Sequence, residues 1–459
     1  MLGTLLKPDY EKLIRDKDWK ALRSEFAQLD PPDLAEILEE FPLHDSAVVF
    51  RILPRDSAAV IFEYLALDLQ TKLVQSLADE QLVNLLNGMA PDDRTRLFEE
   101  LPPEVTKRAL ASLTPGELKI ARQLLGYPEN SAGRHMTPEY VAVRPTMTAA
   151  EALTYIRKHG RGSETLNVIY VTDDKGKLLN DLKLSTLVMA EPSTKVQDID
   201  DGQLYSLLAS ADREEVVAAF EKYDRVALPV TDTSGVLLGI ITIDDVLDVA
   251  EAEATEDIQK LGGMQALDAP YIDSSFFNMI RKRAGWLLVL FVGEMFTATA
   301  MSYFEAEIAR AVVLALFIPL IISSGGNSGS QATSLIIRAL AIRELELRDW
   351  AMVLKRELLS GLVLGSILAV VGFMRIVLWP TRVAVYGKHF VMIAMSVSLS
   401  LVGVVLFGTV AGSMLPFILR RLGLDPAAAS APFVATLVDV SGLIIYFTCA
   451  SIVLRGAML

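Results

Sequence analysis

The chain is poor in the residues that cross-linking and metal-dependent catalysis need. Of 459 residues one is cysteine, Cys449, and four are histidine. A single cysteine excludes an internal disulfide framework. There is no His-Glu-x-x-His pair and no GxxxxGK[ST] loop, so neither a catalytic zinc helix nor an ATP-driven pump is expected. His389, at the edge of an apolar run, is the single histidine near any such run, and the chain is read as no enzyme. The opening MLGTLLKPDYEKL has no extended apolar core, so no cleaved secretory signal is expected. Basic charge is scarce in the first part: residues 1–275 hold 28 Lys and Arg against 48 Asp and Glu. That balance excludes a nucleic-acid partner, which needs the opposite sign, and suits cations as counter-ions.

From Phe276 onward the balance reverses, with 15 basic residues against 9 acidic, and long apolar runs appear. Five of them, about 284–304, 311–337, 353–379, 390–419 and 431–454, approach or exceed the roughly 20 residues that cross a bilayer. Arg281, Lys282 and Arg283 precede the first span; Arg338, Arg343, Arg348, Lys355 and Arg356 fill the second loop; Arg420 and Arg421 follow the fourth. The positive-inside rule then puts the N-terminus and soluble part in the cytoplasm and the C-terminus outside a plasma (bacterial inner-type) membrane.

The second span, IPLIISSGGNSGSQATSLII, carries Gly325, Gly326, Asn327 and Gly329 at its centre. Lipid cannot satisfy a broken backbone, so a glycine-interrupted helix at that depth is expected to line a watery path. Gly361-x-x-x-Gly365 and Gly408-x-x-x-Gly412 read instead as close helix packing. Two acids lie at depth, Asp439 in ATLVDVSGLIIYF and Glu294 in VLFVGEMFTATA. An acid in hydrocarbon is expensive and normally marks an ion path or a buried pair. No Arg or Lys in the last span can neutralise Asp439, which reads as a cation site; Glu294 is a second pore residue or an interhelical hydrogen-bonding group. Magnesium keeps its waters and needs few direct carboxylates. In a two-fold dimer with its pore on the axis each such acid would appear twice, a pair that selects a divalent ion.

The soluble part is itself composite. Leu29, Phe41, Leu53, Leu65, Leu77, Met89, Leu101 and Leu113 recur every twelve residues, as do Phe26, Leu38, Phe50, Phe62, Val74, Leu86, Phe98 and Leu110. Pro42, Pro54 and Pro102 fall at one phase, where each can stop a helix of about two turns. Short helices stacked in register predict an all-α superhelical N-terminal domain over 1–130. Residues 131–250 instead show a duplicated α/β pattern, with β-rich LNVIYVTD (166–173) and RVALPVTD (225–232) preceded by helices near 149–157 and 213–223. The pair resembles tandem CBS modules, which implies a possible adenine nucleotide, ATP, as ligand. The first copy departs from that pattern: NDLKLSTL (180–187) stands in for a glycine-led strand and DIDD (198–201) for Ile-Met. Residues 251–275 connect to the membrane part, with DVAEAEATEDIQKLGGMQA (248–266) a long acidic helix ending at glycines; residues 276–459 form an all-α polytopic domain of five transmembrane helices.

The segments IPLIISSGGNSGSQATSLIIRALA, GLDPAAASAPFVATLVDVSGLIIYF, IITIDDVLDVAEAEATEDIQKLGG and MAPDDRTRLFEELP (89–102) together resemble signatures of the MgtE family of magnesium channels. The resemblance covers nearly the whole chain in order: N domain, CBS pair, plug helix, five transmembrane helices. It implies a homodimer in the lipid bilayer carrying Mg²⁺ inward down its gradient. Asp439 would then bind the permeant ion, and the glycine–asparagine segment would line the path. It further implies regulatory Mg²⁺ that holds the protein closed, bound by Glu214, Asp224, Asp245, Asp248, Glu253, Glu256 and Asp257 with Asp92 and Asp93 of the PDDR motif. Physics points the same way: a module with so large an acidic excess repels itself, and bridging divalent ions favour its compact form. An ion-coupled divalent carrier, for Mg²⁺ or Co²⁺, and a membrane Mg²⁺ sensor without transport are the alternative readings.

Overall fold

The computed structural model describes residues 2–199, 202, 204–267, 271 and 274–455. Asp200 and Asp201 of the DIDD segment, residues 268–270 and 272–273 of the connector, and both chain ends lie outside the described residues. The chain divides into two compact units, 1–251 and 252–459.

Ten helices open the first unit. They are α1 (Leu2–Arg15), α2 (Trp19–Phe26), α3 (Pro31–Glu39), α4 (Leu43–Ile52) and α5 (Arg55–Glu63), followed by α6 (Leu67–Ser76), α7 (Asp79–Gly88), α8 (Pro91–Glu100), α9 (Pro103–Ala111) and α10 (Pro115–Leu124). Both twelve-residue apolar series enter one core: Phe41, Leu53, Leu65, Leu77 and Met89 are buried in it, as are Leu38, Phe50, Phe62, Val74 and Leu86. Each helix packs on the helix two places along, α3 on α5, α5 on α7, α4 on α6, α6 on α8. Such a stack has no unit able to bury its apolar face alone.

The polar side chains reveal a longer period. Ser46, Gln70 and Arg94, 24 residues apart, donate to the carbonyls of Leu38, Phe62 and Leu86 at 2.9, 2.7 and 2.9 Å. Glu39, Glu63 and Asn87, at the same spacing, accept from the amides of Ala66, Ala90 and Thr114 at 2.6, 2.8 and 2.8 Å. Those amides stand at helix starts, where no intrahelical partner exists. The structural repeat is therefore a helix pair of 24 residues, and the apolar period of 12 is half of it. The prolines act differently from the expectation: Pro42, Pro54 and Pro102 are N-caps of the following helices, with extended ψ near 143°, rather than stops of the preceding ones. The fixed φ of proline suits that place as well.

Two copies of one α/β module follow. The first comprises β1 (Ala142–Val143), α11 (Ala149–His159), β2 (Val168–Thr172), β3 (Leu178–Lys183) and α12 (Leu184–Met189). The second comprises β4 (Leu207–Leu208), α13 (Arg213–Tyr223), β5 (Ala227–Thr231), β6 (Leu237–Thr242) and α14 (Ile243–Leu261). In each, the first strand pairs parallel and the third antiparallel with the middle strand. Both middle strands carry a bulge at the same place, Val171/Thr172 and Val230/Thr231. The first copy keeps its strand without the glycine that leads the second. Asn180 stands opposite Val171 as Gly239 stands opposite Val230. A Cβ on Gly239 would lie 2.7 Å from the Thr137 carbonyl, because residue 137 bridges to Ile240 there.

α14 runs from Ile243 to Leu261, beginning inside the second module rather than after it, and the unit division falls within it. It ends where expected, at the Gly262–Gly263 turn, with Gly263 at φ +73°.

The second unit holds α15 (Phe276–Tyr303), α16 (Glu305–Arg310), α17 (Ile318–Ala341), α18 (Trp350–Val377), α19 (Arg382–Tyr386), α20 (Phe390–Arg421) and α21 (Ala431–Leu454). Five stretches are long and apolar enough to cross a membrane: Phe276–Tyr303, Val312–Ala341, Leu347–Val377, Phe390–Arg421 and Ala431–Leu454. α17, α18 and α21 all pack on α20, whereas α15 packs chiefly on α21 and leaves Leu288, Phe291 and Phe296 exposed.

Candidate ion-binding sites

The glycine segment of α17 departs from the expected break. α17 is one uninterrupted α-helix from Ile318 to Ala341. Its glycines are contact surfaces. A Cβ at Gly329 would lie 2.8 Å from Val434 and 3.0 Å from the Gly408 carbonyl, and one at Gly408 would overlap the Gly325 carbonyl. Thr333 Oγ1 donates to both the Gly329 and Gly412 carbonyls, at 2.9 Å each. Small residues let backbones close up in lipid, and that effect outweighs their helix-breaking tendency here. Gly325, Gly326 and Gly329 are buried against α20 and α21, while Asn327 is exposed, its Nδ2 donating to Ser323 Oγ at 3.4 Å. The glycines set how closely α17 packs on α20 and α21 without opening the helix.

Asp439, half-buried on α21, and Glu294, exposed on α15, come close enough for their charges to interact. Gly293 packs on Thr436 of α21, one turn before Asp439; a Cβ there would come within 2.8 Å of the Thr436 methyl. That close approach of α15 to α21 brings the two carboxyls together. Both acids read from the sequence thus stand at the contact of α21 with α15, a helix that buries none of its residues.

The soluble unit gathers a second set. Asp92 and Asp93 open α8 and Asp245 opens α14, where their charges interact with each other and with Glu164. Asp92 is 9 % exposed, and its Oδ1 has no hydrogen-bond partner. Burial, then the Asp245, Asp93 and Glu164 charges, push its carboxyl well above the usual range. Burial followed by Asp245 raises Asp93 to about 7, and burial with Asp245 and Asp244 raises Glu164 to about 7. Burial raises Glu63 to about 7 against the pull of the Ala90 amide, and raises Asp245 to about 6 against a hydrogen bond from Thr242. Asp248 stands at the rim, 2.7 Å from Arg96.

The other acids expected from the sequence do not join this set. Glu214 and Asp224 lie at opposite ends of α13, about 15 Å apart at 1.5 Å per residue, and both are exposed. Glu253, Glu256 and Asp257 lie on the last turns of α14, in the other unit. There Lys260 Nζ sits 2.5 Å from Glu256 Oε1 and 2.6 Å from Asp425 Oδ2. Sequence reading missed Glu63, Glu164 and Asp425. Glu63 was traceable through the 24-residue series and Asp425 through the GLDPAAAS segment; Glu164 sits in a loop with no local signal.

Among the described residues no three Asp, Glu, His or Cys side chains converge tightly enough to ligate one bare metal ion. The donor set suits a hydrated one. Mg²⁺ keeps most of its waters and needs one or two direct carboxylates, and the buried, unpartnered Asp92 oxygen among raised carboxyls is the kind of group such an ion would satisfy.

Comparison with known proteins gives three family matches: MgtE, a divalent cation transporter, over residues 318–449; the MgtE intracellular N domain over 29–130; and CBS domains over 132–191 and 196–252. None is a catalytic family. The chain is 43 % identical over 335 residues to a magnesium transporter MgtE of Thermus thermophilus, covering 72 % of each protein. It is 32 % identical to a magnesium transporter MgtE of Bacillus subtilis, over 73 % of this chain and 72 % of that protein. Its soluble part superposes on the cytosolic domain of the Mg²⁺ channel MgtE crystallised with ATP, with TM-score 0.50 and 34 % identity, over 52 % of this chain and 98 % of that one. The soluble part of another magnesium transporter, at 24 % identity and TM-score 0.51, shares the fold.

Proposed function

The chain belongs to the MgtE family of divalent cation transporters, and from that premise we propose that it is a Mg²⁺ channel admitting Mg²⁺ to the cytoplasm. The observation that carries this reading is the Asp439–Glu294 pair, two acids from different spans brought together beside α15, which buries none of its residues. Two such chains related by a two-fold axis would set four carboxyls around one path. Hydrated Mg²⁺ is held there by few direct ligands, with the exposed Asn327 amide of α17 available to its water shell. Glycines 325, 326 and 329 fix how near α17 comes to α20 and α21, and so the path's width.

Intracellular Mg²⁺ closes the channel in this reading. Asp92, Asp93, Asp245 and Glu164 would hold one regulatory ion, and Glu256 and Asp257 near the end of α14 stand with Asp425 further on. An ion that binds only the compact state stabilises it by RT ln(1 + [L]/Kd), about 2.7 kcal/mol at a hundredfold excess. Homodimerisation is supported by apolar side chains exposed at matching places on the two CBS copies, Val188 and Met189 of α12 (56 % and 85 % exposed) and Leu247 of α14 (64 %). The relative crystallised with ATP supports the CBS pair as a nucleotide site. The basic loops support a cytoplasmic N-terminus and an external C-terminus.

The test is Mg²⁺ influx into liposomes holding the purified protein and its Asp439→Ala variant. Uptake that follows the imposed gradient and is lost in the variant is the expected result. Normal conduction by the variant would overturn the pore assignment, and a requirement for a proton or sodium gradient would identify a coupled carrier.

A further inference from the structure

The end of α14 is docked on the membrane unit by three separate devices. Leu261 enters an apolar cluster with Ile337 of α17, Leu415 and Leu419 of α20, and Ala427 and Ala429 of the α20–α21 loop. The Gly262–Gly263 turn lies flat on Trp286 of α15: a Cβ at Gly263 would come within 2.9 Å of the indole. The indole in turn donates to Ser430 Oγ, the N-cap of α21, at 3.1 Å. The third device is ionic. Lys260 Nζ bridges Glu256, one turn back on its own helix, and Asp425 of the loop.

Asp425 is held for this role from both sides. Its Oδ1 accepts from the Ala427 amide at 2.8 Å, leaving Oδ2 for the ammonium at 2.6 Å. Asp257 stands beside it, its carboxyl raised by burial and then by the Asp425 charge. Three carboxylates therefore stand around one lysine, about 30 % exposed, whose ammonium bridges the helix and the loop. In the soluble cluster Arg96 stands instead at the rim, on Asp248.

We propose that Lys260 is a tethered cation that latches the end of α14 to the α20–α21 loop when divalent ions are absent. The proposal rests on the closure by intracellular Mg²⁺ proposed above and deepens it: Mg²⁺ need not create the contact at this end of α14, only reinforce it. A covalently attached ammonium has no concentration dependence, so the latch persists as cytoplasmic Mg²⁺ falls. Opening then requires α14 to break a fixed ion pair as well as release bound ions. A single-charge lysine also leaves the cluster with excess negative charge, which keeps it attractive to Mg²⁺.

The experiment is hydrogen exchange on the full-length protein in lipid nanodiscs with EDTA, followed at the amides of Gly262, Gly263 and Met264. These amides bond back to the Ile258, Lys260 and Gln259 carbonyls. Lys260→Met is expected to speed their exchange roughly five- to tenfold, and Lys260→Arg to leave it near wild type. Asp425→Asn, which keeps an N-cap for Ala427, should give a similar increase, with little further gain in the double variant. Unchanged exchange in Lys260→Met, or effects of the two substitutions that simply multiply, would overturn the latch. The readout needs no transport, so a wild type that fails to conduct Mg²⁺ would sink the channel reading and leave this result standing.

Discussion

At the start of α14, Asp92, Asp93, Asp245 and Glu164 crowd together with Arg96 at their rim, whereas at its end Glu256, Asp257 and Asp425 surround the Lys260 ammonium. The first group is raised towards neutral pH by burial and mutual repulsion. In the second, burial works against the Lys260 charge, but its hydrogen bonds to Asp425 and Glu256 more than offset that and strengthen its hold on the proton. One helix thus carries a cluster whose counter-charge stands at its rim and a cluster that encloses its own. The difference teaches where a diffusible ion has most to do: it changes the energy most where the protein supplies no substitute.

Removing the uncompensated cluster is the strongest way to break this contrast. A triple variant, Asp93→Asn, Asp245→Asn and Glu164→Gln, should lose the Mg²⁺-dependent protection of the soluble unit, about 2.7 kcal/mol per vacated site at a hundredfold excess of ion. Thermal proteolysis of the full-length protein with and without Mg²⁺ measures it. A smaller effect follows from giving the first cluster what the second has. Glu164→Lys should protect the soluble unit in EDTA by about 1–2 kcal/mol and flatten its response to Mg²⁺; a variant that still responds fully would show that Glu164 is not part of the site.

Proton concentration sharpens the same comparison. Asp93, Glu164 and Glu63 lie at about 7 in the folded unit, against an ordinary carboxyl value of about 4. A carboxyl raised by folding contributes its stability below the unfolded value and loses it as pH rises through the folded one. Without divalent ions the soluble unit should therefore weaken between about pH 4 and 7. Its melting temperature in EDTA should fall from pH 5 to pH 8, and excess Mg²⁺ should restore it at pH 8 while changing little at pH 5. The smallest effect belongs to the exposed Arg96–Asp248 pair: Arg96→Gln should cost under about 1 kcal/mol by the same proteolysis assay.

Much of the architecture was legible beforehand because it rests on periodicity. The five spans, the two α/β copies and both apolar series appear in the structure where their patterns fall, since burial of one face imposes its period on the chain. The glycine run of α17 was misread for a physical reason. Glycine weakens an isolated helix, yet in a bundle the same missing Cβ admits a neighbouring backbone, and only the neighbours decide which effect wins. The clasps of Ser46, Gln70 and Arg94 escaped notice because three different side chains perform one task, donation to a carbonyl eight residues back. Residue type hides a repeat that geometry exposes.

The sequence by itself determined the division along the chain: an acidic soluble part, a bilayer-length apolar part, and two acids, Asp439 and Glu294, inside apolar runs. Local pattern suffices for these because hydrophobic length and charge are sums over neighbours in sequence. Tertiary structure alone decided which acids meet. Glu164 joins Asp92 and Asp245, Lys260 reaches Asp425 across 165 residues, and Glu214 and Asp224 are left apart at the ends of α13. Electrostatic interaction falls with distance in space, not along the chain, so the partners of a charge are fixed only when the fold has closed.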